Sequence, residues 1–159
     1  MENSHLAGLV LFTDFDGVLH AADELALDGT GRLRANTNLF VWLPILVDIL
    51  QPYPEVQIVI SSDWRRLLDD DNLRRVLGPL GPRFAGIVET WGVSRADEIL
   101  TEVRRRRLTR WLAIDDHPSV ASASRRDAHF IACAPDTGLS AVETQAALRA
   151  RLATTLASG

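Results

Sequence analysis

The sequence contains no lysine, and all 17 of its basic residues are arginines. Any cation that contacts a substrate must therefore be a guanidinium, whose planar donors suit phosphate and carboxylate groups. Cys133 is the only cysteine, which excludes a disulfide within the chain and favours a reducing compartment. A formal net charge of −4 gives no overall basic field that would draw the chain to nucleic acid.

Long hydrophobic runs are also absent. The apolar stretch 6–12 is too short to span a membrane, and no basic segment or cleavage signal accompanies it. We therefore expect a cytoplasmic protein with no membrane partner. A length of 159 residues, 47% of them hydrophobic, suits one domain with a sizeable core, so residues 1–159 are predicted to form a single domain.

Apolar segments of strand length alternate with amphipathic segments of helix length, which is typical of a parallel α/β sheet. Strands are predicted at 9–13, 56–60, 86–89, 111–114 and 128–133. Helices are predicted at 38–50, 64–68, 73–77 and 94–107, with a terminal helix that a capping box opens at 140–143. Pro44 is the weak point of the first helix, and the polar segment 17–35 is predicted to be a loop or flap.

Asp14 and Asp16 follow the first predicted strand, directly before Gly17. Side chains two positions apart on a strand share a face, so both carboxylates start on the same side, and the glycine allows a sharp turn. Two like charges this close need compensation, and carboxylate oxygens are ligands that Mg²⁺ prefers. An ordinary acidic turn is the alternative interpretation of this motif alone.

Two further predicted strands end in polar pairs, Ser61-Ser62 and Asp115-Asp116. Ligands of open parallel sheets bind at the carboxyl ends of the strands, so these residues should converge with the first motif. Each pair has a simpler alternative: Ser61 or Asp63 could cap the following helix, and the acidic pair could be a plain turn. The occurrence of all three sets at strand ends favours a functional site.

This constellation resembles the haloacid dehalogenase (HAD) superfamily of phosphohydrolases and phosphotransferases. The first motif of that superfamily, Asp-x-Asp-Gly-x-Leu, is matched at every specified position by 14–19. Ser61 matches the serine or threonine that ends a later strand, and Asp115-Asp116 match the acidic pair. Arg95 is the best candidate for the basic residue near the start of a helix, although lysine is commoner there and Arg104 competes for the role.

A narrower resemblance, to small HAD domains associated with bacterial RNA-repair proteins, rests on the segments 61–65, 114–116 and 138–140. The resemblance implies a Rossmann-like three-layer α/β/α sandwich with a mainly parallel five-stranded sheet. The segments between the motifs leave no room for a large cap. An open site suits a phosphate at the end of a large substrate, or a second subunit that serves as a lid in a homodimer.

The resemblance also implies a Mg²⁺-dependent phosphomonoester hydrolase, acting on a nucleotide or on a 3′ or 5′ phosphate of nucleic acid. Asp14 would be the nucleophile that forms an aspartyl-phosphate, and Asp16 would protonate the leaving oxygen and then activate water. Mg²⁺ would be held by Asp14, Asp115 and the backbone carbonyl of Asp16, with Asp116 as a ligand or an anchor. Ser61, Ser62 and Arg95 would bind the phosphate oxygens.

Two other classes of function stay open at this point. One is a non-catalytic HAD-like binding or regulatory module that retains the metal site, and the other is a receiver-like domain that accepts phosphate as a signal.

Several side chains near the motifs also have two interpretations. Arg65 could reach a phosphate or pair with Asp69, and His20 could line the entrance to the site. Residues that could contact RNA are Trp64, Trp91 and the helix-end arginines 104–107.

Overall fold

The computed structural model describes residues 8–22 and 38–157, within which five strands and five helices alternate. The strands are β1 Val10–Thr13, β2 Gln57–Ile60, β3 Phe84–Ile87, β4 Trp111–Asp115 and β5 Phe130–Ala132. The helices are α1 Leu43–Leu50, α2 Asp70–Val76, α3 Arg95–Arg106, α4 Pro118–Ser124 and α5 Val142–Ala157. Short 3-10 helices lie at Asp63–Arg66, Gly78–Arg83 and Gly138–Ser140.

The five strands form one sheet in the order β3-β2-β1-β4-β5, and every neighbouring pair is parallel. The predicted parallel five-stranded sheet is therefore confirmed. The chain moves outward from β1 to β3 and then returns to the other side of β1, which makes the β1/β4 boundary the switch point where such sheets bind ligands. Receiver-like domains have the order 2-1-3-4-5, so the sheet argues against that alternative.

Helices cover both faces of the sheet, as the three-layer prediction requires. Successive residues of β1 point to opposite faces because side chains alternate along a strand. Leu11 packs in one core with residues of α1, α2 and α5, whereas Phe12 packs in the other with residues of α3 and α4. The two apolar clusters thus hold β1 at the centre of the molecule. None of the described helices is long and apolar enough to cross a membrane.

The first helix is shorter than predicted. The sequence pattern indicated a helix over 38–50, but α1 begins at Leu43, and residues 38–42 form turns. Pro44 lies in the first helical turn, where its missing N–H group is not needed for a helical hydrogen bond. The proline therefore begins the helix rather than weakening it.

Side-chain caps decide where several helices begin. Ser94 caps α3 as predicted, because its hydroxyl accepts the N–H of Asp97 at 3.2 Å. The predicted helix 73–77 starts earlier, at Asp70, since the Asp69 carboxylate accepts the N–H of Asn72. The predicted capping box at Ser140 is wrong. Its hydroxyl donates to the carbonyl of Thr137 at 2.6 Å, and α5 begins two residues later.

Two further segments differ from the sequence-based expectation. Helix α4 was not predicted, because its small residues carry little amphipathic pattern, but Pro118 in its first turn is a recognisable start signal. The predicted helix 64–68 is a 3-10 helix over Asp63–Arg66.

Between β2 and α3 the chain holds only 3-10 helices, α2 and β3, which agrees there with the predicted lack of a large cap. Most of the predicted loop 17–35 lies outside the described residues.

Candidate active site

The register of the three central strands places the predicted site residues side by side. Asp14 directly follows β1, and its N–H donates to the carbonyl of Ile114 in β4 at 3.2 Å. On the other side, the N–H of Ser61 donates to the carbonyl of Thr13 at 3.1 Å. Asp14 therefore lies between Ser61 at the end of β2 and Asp115 at the end of β4.

Three carboxylates meet at the switch point between β1 and β4. Oxygen atoms of Asp14, Asp115 and Asp116 lie within 4.8 Å of one another, and the first two side chains are buried. The Asp16 carboxylate is not part of this group, and its backbone carbonyl stays a predicted ligand. A set of closely spaced carboxylate oxygens is the chemistry that suits Mg²⁺.

Gly17 allows the first motif to approach the acidic pair. Its φ of +78° favours glycine, and a Cβ atom built there would lie 2.1 Å from Oδ2 of Asp116. The neighbouring turn is closed by the N–H of Gly17, which donates to the carbonyl of His20 at 2.8 Å. Only a residue without a side chain fits between this turn and Asp116.

The surroundings of the acidic group disfavour the ionised form of two of its carboxyls. Burial raises the pKa of the Asp14 carboxyl well above its usual range, and the charge of Asp115 adds to this effect, while Arg95 opposes it. Burial and the charge of Asp115 also raise the pKa of Asp116. A bound cation would favour the ionised form of Asp14 and Asp116, so the electrostatics fit a metal site.

Arg95 reaches into this site from the first turn of α3. Its Nη1 lies 2.8 Å from Oδ2 of Asp115 and 3.5 Å from Oδ1 of Asp14. Burial alone would lower the pKa of Arg95, but the adjacent carboxylates raise it by more than burial lowers it. The guanidinium therefore stays charged. The competing candidate, Arg104, lies near the other end of α3, where it donates to the hydroxyl of Thr101.

The two serines after β2 have different surroundings. Ser62 accepts the N–H of Trp64 at 3.2 Å and thereby caps the 3-10 helix, a role that the sequence had suggested for Ser61 or Asp63. Ser61 is fully buried, and its Oγ is the buried side-chain polar atom that lacks a hydrogen-bond partner among the described residues. Leaving such a hydroxyl unpaired costs about 1–3 kcal/mol, so this atom is available to a ligand.

Arg65 has a role that the sequence did not reveal. Instead of pairing with Asp69, its buried guanidinium donates to the carbonyls of Ser61, Ser62 and Val88. Glu98 of α3 balances its charge at 3.0 Å. Arg65 therefore fixes the backbone of the loop that carries the unpaired Ser61 hydroxyl.

The Asp16 carboxylate is held by two aromatic side chains. Oδ1 lies 2.7 Å from Nε2 of His20, and the indole N–H of Trp64 donates to Oδ2 at 3.2 Å. His20 is fully buried, so it does not line an entrance as the sequence suggested, and the buried ring of Trp64 offers no face for stacking. The position of His20, four residues after Asp16, was the available signal for this contact.

The comparison with protein families agrees with this geometry. The family model for the HAD domain in Swiss Army Knife RNA repair proteins matches residues 10–144. The chain belongs to this HAD family. The match runs from β1 into α5, so it includes every site residue described above. No similar protein was found among curated proteins or among solved structures.

Two surface features of this HAD domain bear on the predicted contacts with RNA. Trp91 is 54% exposed, and the guanidinium of Arg66 lies 4.0 Å from its ring centroid. The helix-end arginines are largely engaged within the fold: Arg105 and Arg106 pair with Glu102, and Arg107 is the left-handed cap of α3. The guanidinium of Arg65 also lies 4.3 Å from the Trp91 ring centroid, so contact of Trp91 with RNA stays a prediction.

Proposed function

We propose that this HAD domain hydrolyses phosphomonoesters with the help of Mg²⁺, using Asp14 as the nucleophile. The observation that carries the proposal is the group of three carboxylates at the β1/β4 switch point, with the Arg95 guanidinium against it. Membership of the HAD family supports the same reaction class. The unpaired hydroxyl of Ser61 beside Asp14 supplies a donor for a phosphate oxygen.

Asp14, Asp115 and Asp116 would hold the metal through their carboxylates, together with the backbone carbonyl of Asp16. When bound, Mg²⁺ neutralises negative charge on the carboxylates and the phosphate, which would otherwise repel each other. The remaining chemistry belongs to side chains of this chain.

In the first step, a carboxylate oxygen of Asp14 attacks phosphorus, and the bond between phosphorus and the ester oxygen breaks. Asp16 gives its proton to that leaving oxygen, so the products are an alcohol and an aspartyl-phosphate. In the second step, Asp16 takes a proton from water as the water oxygen attacks phosphorus. The bond to Asp14 breaks, and inorganic phosphate leaves.

Ser61 and Arg95 would hold the phosphate oxygens that do not react. A guanidinium has five N–H donors, so Arg95 keeps donors for phosphate besides those directed at Asp115 and Asp63. Ser62 is a weaker candidate for direct phosphate binding because its hydroxyl already caps the following 3-10 helix. Phosphoryl transfer depends mainly on such positioning and on charge stabilisation.

We further propose that the substrate phosphate stands at the end of an RNA chain or on a nucleotide. The description of the family points to RNA repair, and the described segment between β2 and α3 contains no folded cap that would enclose a small substrate. Oligoribonucleotides with a 3′ or a 5′ phosphate, compared with the same chains lacking it, would identify the preferred end.

The decisive experiment is hydrolysis of p-nitrophenyl phosphate with and without Mg²⁺. We expect turnover that requires the metal and falls to background in Asp14→Asn, whereas the exposed Asp71→Asn variant, a charge-matched control, keeps full activity. Turnover that survives Asp14→Asn would contradict the proposed nucleophile. A folded wild-type protein that binds Mg²⁺ but hydrolyses no phosphomonoester would instead indicate the non-catalytic module.

A further inference from the structure

The Asp16 carboxylate combines partial exposure with buried hydrogen-bond donors. Its side chain is 42% exposed, whereas the side chain of its partner His20 is completely buried and Trp64 is nearly so. An exposed aspartate normally samples several rotamers. Two donors fixed in the core restrict this one, since His20 contacts Oδ1 and Trp64 contacts both oxygens.

The backbone assigns the hydrogen on the His20 ring. The N–H of Phe40 donates to Nδ1 at 3.2 Å, so Nδ1 acts as an acceptor. In the neutral imidazole the hydrogen then lies on Nε2, which donates to Oδ1 of Asp16. The backbone of Phe40, 20 positions along the chain, therefore selects the His20 tautomer that can donate to Asp16.

Aromatic packing prevents either donor from turning away. The rings of Phe40 and His20 meet edge to face with centroids 5.1 Å apart, and the Trp64 ring lies 5.3 Å from Phe40. Phe15 closes the cluster against both Phe40 and Trp64. Rings packed in this way keep single rotamers, so the two N–H groups point at one place.

We propose that His20 and Trp64 are positioning residues that aim the Asp16 carboxyl at the leaving oxygen of the substrate. This inference rests on the proposed function, in which Asp16 transfers the proton. Misplacing a reacting group by about 1 Å can lower a rate by about 100-fold, so a mobile carboxyl at this site would be a poor acid. Neither residue touches the substrate in this scheme, and both act through Asp16.

The test compares substrates whose leaving groups need a proton to different degrees. p-Nitrophenolate leaves readily without a proton, whereas the alkoxide of glycerol 2-phosphate or of a nucleoside monophosphate does not. The quantity to compare is kcat/KM, because it reports formation of the aspartyl-phosphate even when the later hydrolysis limits kcat. We expect Trp64→Phe to lower kcat/KM by about 10- to 100-fold for alkyl phosphates and by less than about 3-fold for p-nitrophenyl phosphate.

Variants at His20 provide a rescue experiment. His20→Leu removes the donor to Asp16, whereas His20→Gln keeps an N–H donor on a side chain of similar reach. We therefore expect the glutamine variant to recover most of the activity on alkyl phosphates that the leucine variant loses. Trp111→Phe is the matched control for the loss of a buried tryptophan, because Trp111 stacks on His129 rather than contacting Asp16. This variant should change kcat/KM equally for both substrate classes.

The possible results distinguish failure of the positioning role from failure of the proposed phosphatase function. Equal losses on both substrate classes in Trp64→Phe and His20→Leu would overturn the positioning role and indicate a structural one. If Trp64→Phe does not fold, the difference between His20→Gln and His20→Leu decides instead. A wild-type protein without Mg²⁺-dependent turnover on either substrate class would overturn the proposed function and the positioning role together, which distinguishes it from the first outcome.

Discussion

At the residue scale, two aspartates that stand two positions apart have opposite surroundings. Asp14 is buried between β2 and β4, where burial and a neighbouring charge raise its pKa, whereas Asp16 is partly exposed and held by neutral donors. Strand β1 ends at Thr13, and the chain bends at Phe15, between the two aspartates. In the proposed mechanism, this short motif would place the nucleophile in the core and the proton donor at the surface.

Substitution of Ser61 by alanine should change stability and activity in opposite directions. The buried hydroxyl lacks a partner, so its removal should raise the free energy of unfolding by about 1 kcal/mol. The phosphate would lose a donor, and kcat/KM should fall by about 10- to 100-fold. Urea unfolding and phosphatase assays on the same preparation measure the two effects.

Ser62→Ala is the matched control for that prediction. Because Ser62 caps the following 3-10 helix, its loss should lower the free energy of unfolding by about 1 kcal/mol and affect activity less. A Ser61→Ala variant that is destabilised and fully active would show that the hydroxyl serves the fold rather than the phosphate.

Gly17→Ala should strain the backbone and, in addition, disturb the proposed metal site. A positive φ costs a non-glycine residue about 1–2 kcal/mol, and the new Cβ would also displace Asp116. Gly78→Ala is the control, because Gly78 also has a positive φ but its Cβ would meet only Leu43 at 3.6 Å. Both variants should lose thermal stability, but only Gly17→Ala should weaken Mg²⁺ binding in calorimetry. Equal Mg²⁺ affinities would disprove the contact with Asp116.

At the element scale, α3 has a different task at each end. Its first turn delivers Arg95 to the acidic group, and its last turns fasten the edge strand β3. The buried carboxylate of Glu102 accepts the N–H of Glu89 at 3.0 Å, and Arg106 donates to the carbonyls of Ala85 and Ile87. The helix thereby covers one edge of the sheet, which would otherwise expose unpaired backbone groups.

Glu102→Gln should make this attachment weaker in a pH-dependent way. Burial alone would raise the pKa of Glu102, but bonds from Arg105 and Arg106 lower it below its ordinary 4.5. The ionised carboxylate therefore stabilises the fold above pH 4.5, and this contribution is lost as the pH falls through the lowered pKa. At pH 7 we expect the glutamine variant to lose about 1–3 kcal/mol in urea unfolding.

The difference between wild type and Glu102→Gln should stay constant from pH 7 to about 5.5 and shrink below pH 4.5. Glu143→Gln, at an exposed position in the first turn of α5, controls for the removal of one negative charge. A difference that grows on acidification would contradict the lowered pKa.

The elements were predictable where a local pattern decides them. Strands β1, β2 and β4 were evident from apolar runs that end in polar residues, and the cap of α3 was evident from Ser94. Helix α4 was not predictable because its alanines and serines carry no apolar stripe. The predicted first helix is too long because the turn at 38–42 is also apolar. Composition alone does not separate such a turn from a helix.

At the scale of the whole molecule, the proposed metal site should oppose folding when it is empty and support folding when Mg²⁺ is bound. The pKa of Asp14 is raised in the fold, so its ionisation at neutral pH destabilises the native state. Asp14→Asn removes that charge, and its Tm in EDTA should therefore exceed that of the wild type. Mg²⁺ should raise the Tm of the wild type by about 2–4 °C per kcal/mol of binding free energy and affect the variant much less.

Differential scanning calorimetry with EDTA and with millimolar Mg²⁺ checks both parts of this prediction. The exposed Asp71→Asn variant should behave as the wild type in both buffers, because its carboxylate lies on α2 and pairs only with Arg74 among the described contacts. Equal Mg²⁺ shifts in wild type and Asp14→Asn would mean that the ion binds elsewhere.

The candidate site was predictable to the extent that it lies at strand ends. The topology of a parallel sheet brings Asp14, Ser61 and Asp115 together whatever the loops do. The partners that orient these groups were not predictable, since the bond between Trp64 and Asp16 joins residues 48 positions apart. The contacts of Arg65 were not predictable for the same reason, because only the folded chain brings its donors to backbone carbonyls.

The central place of β1 has a consequence for how durable the site is. Both neighbours of β1 pair along its whole length, and its side chains belong to two cores. Amide hydrogens in such a strand exchange with solvent only when the entire domain opens, whereas edge strands and loops open far more often. A phosphoryl group carried on Asp14 would thus be attached to the part of the protein that unfolds last.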